Sequence, residues 1–147
     1  MTEMSTERNR NAYPLNRDFL ASSRLHLQHQ VWISSLGYHI HPDVPLNGKT
    51  TIAEIGCGTG TWSLEVATQL PSGAKIEAFD LSLAQCPPRE WWPGNVTFNK
   101  LDIFDPSPDD MIGKYDVVYI RHFICVLQSG DPMPLLSILM NLLKPGG

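Results

Sequence analysis

Three glycines set two residues apart, Gly56, Gly58 and Gly60, lie between a β-rich run, Thr50 to Ile55, and a stretch of helical character that begins at Thr61. Glycine lets the backbone turn sharply and lets a ligand approach with no Cβ in the way. The helix after the loop offers free N–H groups and a positive dipole end. In a nucleotide fold such a loop holds a nucleotide-like ligand at the carboxyl ends of the strands. Alone, it is equally a tight turn that binds nothing. Two acids change the balance. Asp80 ends a second predicted strand, 20 residues past Gly60, where an acid accepts hydrogen bonds from ribose hydroxyls. Asp102 follows a third, where a side chain can face an adenine amino group. Each alone reads as a solvated loop acid or a cap. Together, each at the end of its own strand, they outline one ligand.

The loop also bears on which ligand. The dinucleotide fingerprint G-x-G-x-x-G would place its third glycine at position 61, which is Thr61. The spacing is G-x-G-x-G instead, preceded by Glu54. An acid beside the loop repels a pyrophosphate and attracts a cationic amino-acid tail. A nicotinamide dinucleotide is therefore the weaker reading.

Beyond the loop, His122 could accept a proton near neutral pH, and Arg121 could orient an anion. Either could instead be structural: His122 by packing under a pocket, Arg121 in an ion pair. Trp91 and Trp92 could cover an adenine edge or simply pack locally. The three cysteines, Cys57, Cys86 and Cys125, are widely spaced, which argues against a disulfide framework and points to a reducing, cytoplasmic setting. His26 and His29 are close in sequence, as are His39 and His41, but no cysteine or carboxylate stands at a matching ligand spacing. No metal site is expected. The histidines of the N-terminal helix read as surface or packing residues.

These residues need elements to hold them. The chain has 147 residues, 42% hydrophobic and 18% charged, enough for one domain with a core. Its net charge of −4 and its lack of a Lys/Arg run argue against nucleic acid as a partner. No apolar stretch is long enough to span a membrane. The polar residues 1–12 read as a tail, 13–49 as an N-terminal helical segment, and 50–147 as the ligand-binding domain. A helix is expected from Arg17 to Leu36, N-capped by Asn16 and ended by Gly37. Its apolar face would carry Leu20, Leu27 and Val31, widened by Trp32, Ile33 and Leu36. Strands are expected at Thr50–Ile55, Lys75–Asp80, Val96–Lys100 and Tyr115–Ile120. Helices are expected at Thr61–Leu70 and Asp131–Leu143, the second with Asp131 as N-cap, Pro132 in its first turn and an apolar stripe that includes Leu136. Strands alternating with helices or connectors argue a parallel α/β sheet.

The run Ala53 to Thr61 resembles motif I of class I S-adenosylmethionine (SAM) dependent methyltransferases. Phe79-Asp80-Leu81-Ser82 resembles their acidic second motif and Leu101-Asp102-Ile103-Phe104 their third. Leu142 to Gly147 resembles the segment that precedes their fifth strand. Tyr13 to Asp18, Ala21 to Leu25, Gln85 to Pro88 and Tyr115 to Arg121 are similar, more narrowly, to fungal secondary-metabolism methyltransferases, mostly acting on oxygen. The resemblance runs from about Tyr13 to the last residue.

It implies a Rossmann-like sheet in the order 3-2-1-4, with SAM as cofactor and S-adenosyl-L-homocysteine as its product. Glu54 and Gly56, with Cys57, Gly58 and Gly60, would line the methionine part. Asp80 would hold the ribose, with Leu81 packing nearby. Asp102 and Ile103 would flank the adenine. Arg121 and His122 would lie near the methyl group and substrate, Arg121 also against the cofactor. Tyr13 and Arg17 would close the site. The reaction implied is methyl transfer to a small molecule.

The family fold has seven strands, and this sequence ends before the fifth. The fourth strand, apolar on both faces, would then be an exposed edge, a surface native proteins rarely leave bare. Three explanations follow: the chain is a truncated piece, it is a naturally short protein that pairs with itself, or it is one half of a complex; a second copy or another chain is expected to cover the edge. The rival reading is a non-methylating SAM-binding protein on this scaffold, either a cyclase or a partner subunit.

Overall fold

The computed structural model describes residues 15–127 and 130–147. Strands β1 (Thr51–Ile55), β2 (Lys75–Asp80), β3 (Val96–Lys100) and β4 (Val117–Ile120) form a sheet in the order β3-β2-β1-β4. Every pairing is parallel. Helices α1 (Phe19–Leu36), α2 (Thr61–Ala67) and α3 (Met133–Leu142) complete the Rossmann-like fold. No helix among the described residues is long and apolar enough to cross a membrane.

Successive strand residues point to opposite faces, and each face has its own core. Ile52, Ile76, Ala78, Val96 and Phe98 join Trp62 and Val66 of α2 in one buried cluster. Ala53, Ile55 and Phe79 join Leu135, Leu139 and Leu142 of α3 in the other, with Ile103, Met111 and Tyr115. Helices on both faces explain why the strands read as apolar runs. Each fully buried side chain, such as Ile52, Ile76 or Leu142, stabilises the layers by about 1.5–3 kcal/mol.

The register fixes where the site must be. Ile55 pairs with Phe79 on one side and Ile120 on the other, and Asp80 pairs with Lys100. The strands therefore end together. The residues that follow them, Gly56, Leu81, Leu101 and Arg121, come out on one rim.

Several boundaries differ from expectation. Asp18, not Asn16, caps α1, its Oδ1 accepting from Ala21 N at 2.8 Å. Gly37 does end α1, donating its N–H to Ile33 O. Helix α2 stops at Ala67, where Thr68 begins a turn by bonding back to Glu65 O. Strand β4 starts at Val117 because Asp116 turns its carboxylate to Thr51 and Lys144, while Tyr115 bridges to Leu143. Helix α3 starts at Met133, whose N–H binds Asp131 Oδ1. Leu136 lies outside the buried stripe of α3.

The larger correction concerns α1. Its expected core face is outward: Leu20 is 76%, Leu27 66% and Val31 58% exposed. The helix instead buries Ala21 and His29. It packs on α2 through this narrower face because His29 finds Glu65 there. Strand β4 is the end strand of the described sheet, as expected, and its four residues are half-buried.

Candidate functional site

A cavity of about 560 Å³ opens on the rim where the strands end. Glu54, Gly56, Cys57, Gly58, Asp80, Leu81, Asp102, Ile103, Arg121 and His122 all line it, and Arg17 joins them from the segment before α1. Tyr13 falls outside the described residues. Gly60 does not line the cavity. Its φ is 74°, and a Cβ there would sit 2.4 Å from the Phe98 ring, so its role is to let the loop pack on β3. Gly56 has φ 72°, and a Cβ there would meet the Phe123 ring at 2.8 Å.

Asp80 fastens the loop to the end of β2. Its Oδ2 accepts from Gly58 N at 2.9 Å and its Oδ1 from Ser82 N at 3.2 Å. A carboxylate offers about four lone-pair sites, so it keeps capacity for a ligand hydroxyl. Cys86 adds a second tie, donating from Sγ to Gly58 O at 3.3 Å. Asp102 accepts from Phe104 N at 3.0 Å, an Asx turn that shapes the loop after β3.

Glu54 is the most perturbed acid on the rim. It sits in β1, 5% exposed, and accepts a hydrogen bond from Ser63 Oγ in α2. Burial pushes its carboxyl up to about 7, although Ser63 and the Arg121 cation pull the other way. A buried carboxylate in the wall of a cavity favours a cationic ligand group beside it.

Arg121 follows β4 and is held from several sides. Its Nη2 donates to His29 Nδ1 at 2.9 Å. Its guanidinium lies 6.0 Å from the ring centres of both Trp32 and Tyr119. Tyr119 in turn stacks on Trp62, with 3.8 Å between centroids and 6° between planes. Behind His29, Nε2 meets Glu65 Oε2 at 2.8 Å, and His39 Nε2 meets the same oxygen at 2.7 Å. Burial alone would raise Glu65; the two histidine hydrogen bonds outweigh it and hold the carboxyl below its ordinary value. Sequence reasoning missed this group. His29, His39 and Glu65 come from α1, the loop after it and α2, with no spacing pattern to join them. His29 is buried rather than superficial.

His122 lies beside Arg121 on the rim, with Trp32 edge-on at 5.2 Å. Its φ of 53° is left-handed, a strained choice for a residue with a Cβ and one that clusters at functional sites. Burial, and then the Arg121 cation, lower its pKa. Trp91 and Trp92 are not at the cavity: Trp91 is exposed, and Trp92 packs on Phe98 and donates to Pro87 O.

The donor set fits a nucleoside with a cationic amino-acid tail. The glycine cradle leaves no room for added side chains, Asp80 has spare acceptors, and Glu54 is buried and acidic. A methyltransferase domain matches residues 25–147. Methyltransferase str3 of Strobilurus tenacellus is 34% identical over 125 residues, covering 84% of this chain and 42% of that protein. N-methyltransferase tcpN of Claviceps purpurea is 32% identical over 130 residues, covering 86% of this chain and 46% of that one. The chain thus spans less than half the length of these relatives. A SAM-dependent methyltransferase from Aquifex aeolicus shares the fold, with a TM-score of 0.62 at 14% identity over 89% of this chain and 69% of its own. With residues 25–147 matched and the rim motifs assembled on one cavity, the chain belongs to the class I SAM-dependent methyltransferase family.

Proposed function

We propose that the protein transfers a methyl group from SAM to a small-molecule acceptor of secondary-metabolite type, at oxygen. The observation that carries this reading is the buried Glu54 carboxylate on the same rim as Asp80 and Asp102. When bound, SAM supplies an electrophilic methyl group. Glu54 takes the ammonium of its amino-acid tail. Asp80 takes the ribose hydroxyls while it holds Gly58, with Leu81 packing alongside. Asp102 and Ile103 flank the adenine. Arg121 orients an anionic group, and Arg17 closes the cavity from the N-terminal side. His122, whose pKa is lowered, is available as a neutral imidazole to take the acceptor's proton. The protein's main contribution is alignment of acceptor and methyl group.

Incubation with methyl-labelled SAM and a panel of phenols, carboxylic acids and amines tests the reading. Transfer to a phenol or acid is expected. Transfer to amines alone would move the acceptor to nitrogen. No transfer by a chain that still binds S-adenosyl-L-homocysteine would favour a non-methylating scaffold instead. We also propose a second copy or partner chain along β4, the last strand in the order of the described sheet. Light scattering that returns only a monomer mass, with and without SAM, would count against self-association.

A further inference from the structure

His29, His39 and Glu65 bring two imidazole nitrogens and a carboxylate oxygen within 4.8 Å of one another, a set that could in principle hold a divalent cation. The groups behind the histidines decide otherwise. A metal-binding imidazole coordinates through one nitrogen and donates an N–H from the other. Here His29 Nδ1 faces Arg121 Nη2 at 2.9 Å, and a guanidinium can only donate. Nδ1 must therefore carry the lone pair and Nε2 the proton. That proton points at Glu65 Oε2, at 2.8 Å. Gln69 Nε2 lies 3.2 Å from His39 Nδ1, an orientation that fits the same pattern. The trio is a directed hydrogen-bond chain: Arg121 donates to His29, and His29 donates to Glu65, which His39 also serves.

The chain ends on a cation that shares the cavity with Glu54. Arg121 and Glu54 both line it, and among the described residues Arg121 Nη1 and the neighbouring Tyr119 Oη are both buried outside any full hydrogen bond. Buried donors left open are few in native proteins and call for a partner. A cation and a carboxylate lining one cavity match the two charges of an α-amino acid.

We propose that His29 and Glu65 are positioning residues that clamp the Arg121 guanidinium beside Glu54, so that the pair receives a zwitterionic amino-acid tail, ammonium on Glu54 and carboxylate on Arg121. This rests on the cofactor reading above. Arg121 needs such a clamp because it stands in the connection after β4, on a long side chain with many rotamers. The clamp removes that freedom before the ligand arrives.

The test compares two ligands by calorimetry: S-adenosyl-L-homocysteine and its decarboxylated analogue, which keeps the amine and lacks the carboxylate. The unaltered protein should prefer the first by about tenfold or more, one charge-assisted hydrogen bond being about 1.5–3 kcal/mol. Glu65→Ala and His29→Ala should reduce this preference to less than about threefold by weakening S-adenosyl-L-homocysteine while leaving the analogue unchanged. Glu65→Gln keeps an acceptor for His29 on a half-exposed side chain and should retain most of the preference, which guards against a variant that fails to fold. General damage to the fold would weaken both ligands alike. An unchanged preference in Glu65→Ala, or no preference in the unaltered protein, overturns the proposal. Failure of the unaltered protein to bind S-adenosyl-L-homocysteine at all would instead overturn the cofactor reading.

Discussion

Ser63 Oγ donates a hydrogen bond to Glu54 Oε2, tying α2 to the inner strand β1 across a buried junction. The bond explains how a strand otherwise built of apolar residues tolerates a carboxylate. It does not remove the cost of burial: the Glu54 carboxyl stays near 7 against an ordinary value of 4.5. The folded chain thus binds this proton more tightly than the unfolded one. The associated stability is fully present below about 4.5 and is lost as pH rises through about 7.

Glu54→Gln should therefore be more stable than the unaltered chain at pH 8, by up to about 3 kcal/mol, with the difference vanishing toward pH 4. Urea unfolding without ligand at the two pH values measures this. The same variant should bind S-adenosyl-L-homocysteine at least about tenfold more weakly, having lost the charge that meets the ligand's ammonium. Equal stability at pH 8 would mean that Glu54 is not strained by burial.

Gly60 and Gly37 offer a matched pair. Both have a left-handed backbone, with φ of 74° and 79°, but a Cβ at Gly60 collides with Phe98 while one at Gly37 meets nothing within 4 Å. Gly37→Ala should cost about 1 kcal/mol, from backbone strain alone. Gly60→Ala should cost about 2–4 kcal/mol, strain plus overpacking. Denaturant midpoints separate the two, and Gly60→Ala/Phe98→Leu should recover part of the excess. A loss at Gly60 no larger than at Gly37 would show that the Phe98 ring yields freely.

His122 carries the proposed proton transfer. Burial and the Arg121 cation hold its pKa below 6.5, so the imidazole is neutral and able to accept at pH 7. His122→Ala should lower kcat for an oxygen acceptor by about a hundredfold. In the unaltered protein, kcat should fall on acidification only below about 6.5. A kcat that is the same in His122→Ala would leave His122 with a packing role against Trp32.

The parallel sheet and its rim were legible in the sequence, because strand patterning and the spacing of Gly56, Asp80 and Asp102 are local signals that register then brings together. The orientation of α1 was not. Leu20, Leu27 and Val31 present the better apolar stripe, and periodicity alone selects it. What turns the helix is the pairing of His29 with Glu65 and Arg121, residues 36 and 92 positions away. Ser63 was missed for the same reason: nothing in the sequence marks a serine on α2 as the partner of an acid on β1. Gly60 reads in the sequence as a cofactor-lining residue, whereas the structure places it outside the cavity and against Phe98 of β3, a contact no local signal marks.

The most direct measurement is calorimetric titration of the purified chain with S-adenosyl-L-homocysteine. If the Gly56 to Gly58 loop, Glu54, Asp80 and Asp102 form a SAM cradle, binding should saturate at one ligand per chain, with a dissociation constant on the order of micromolar. No binding at millimolar ligand by a folded chain would contradict it.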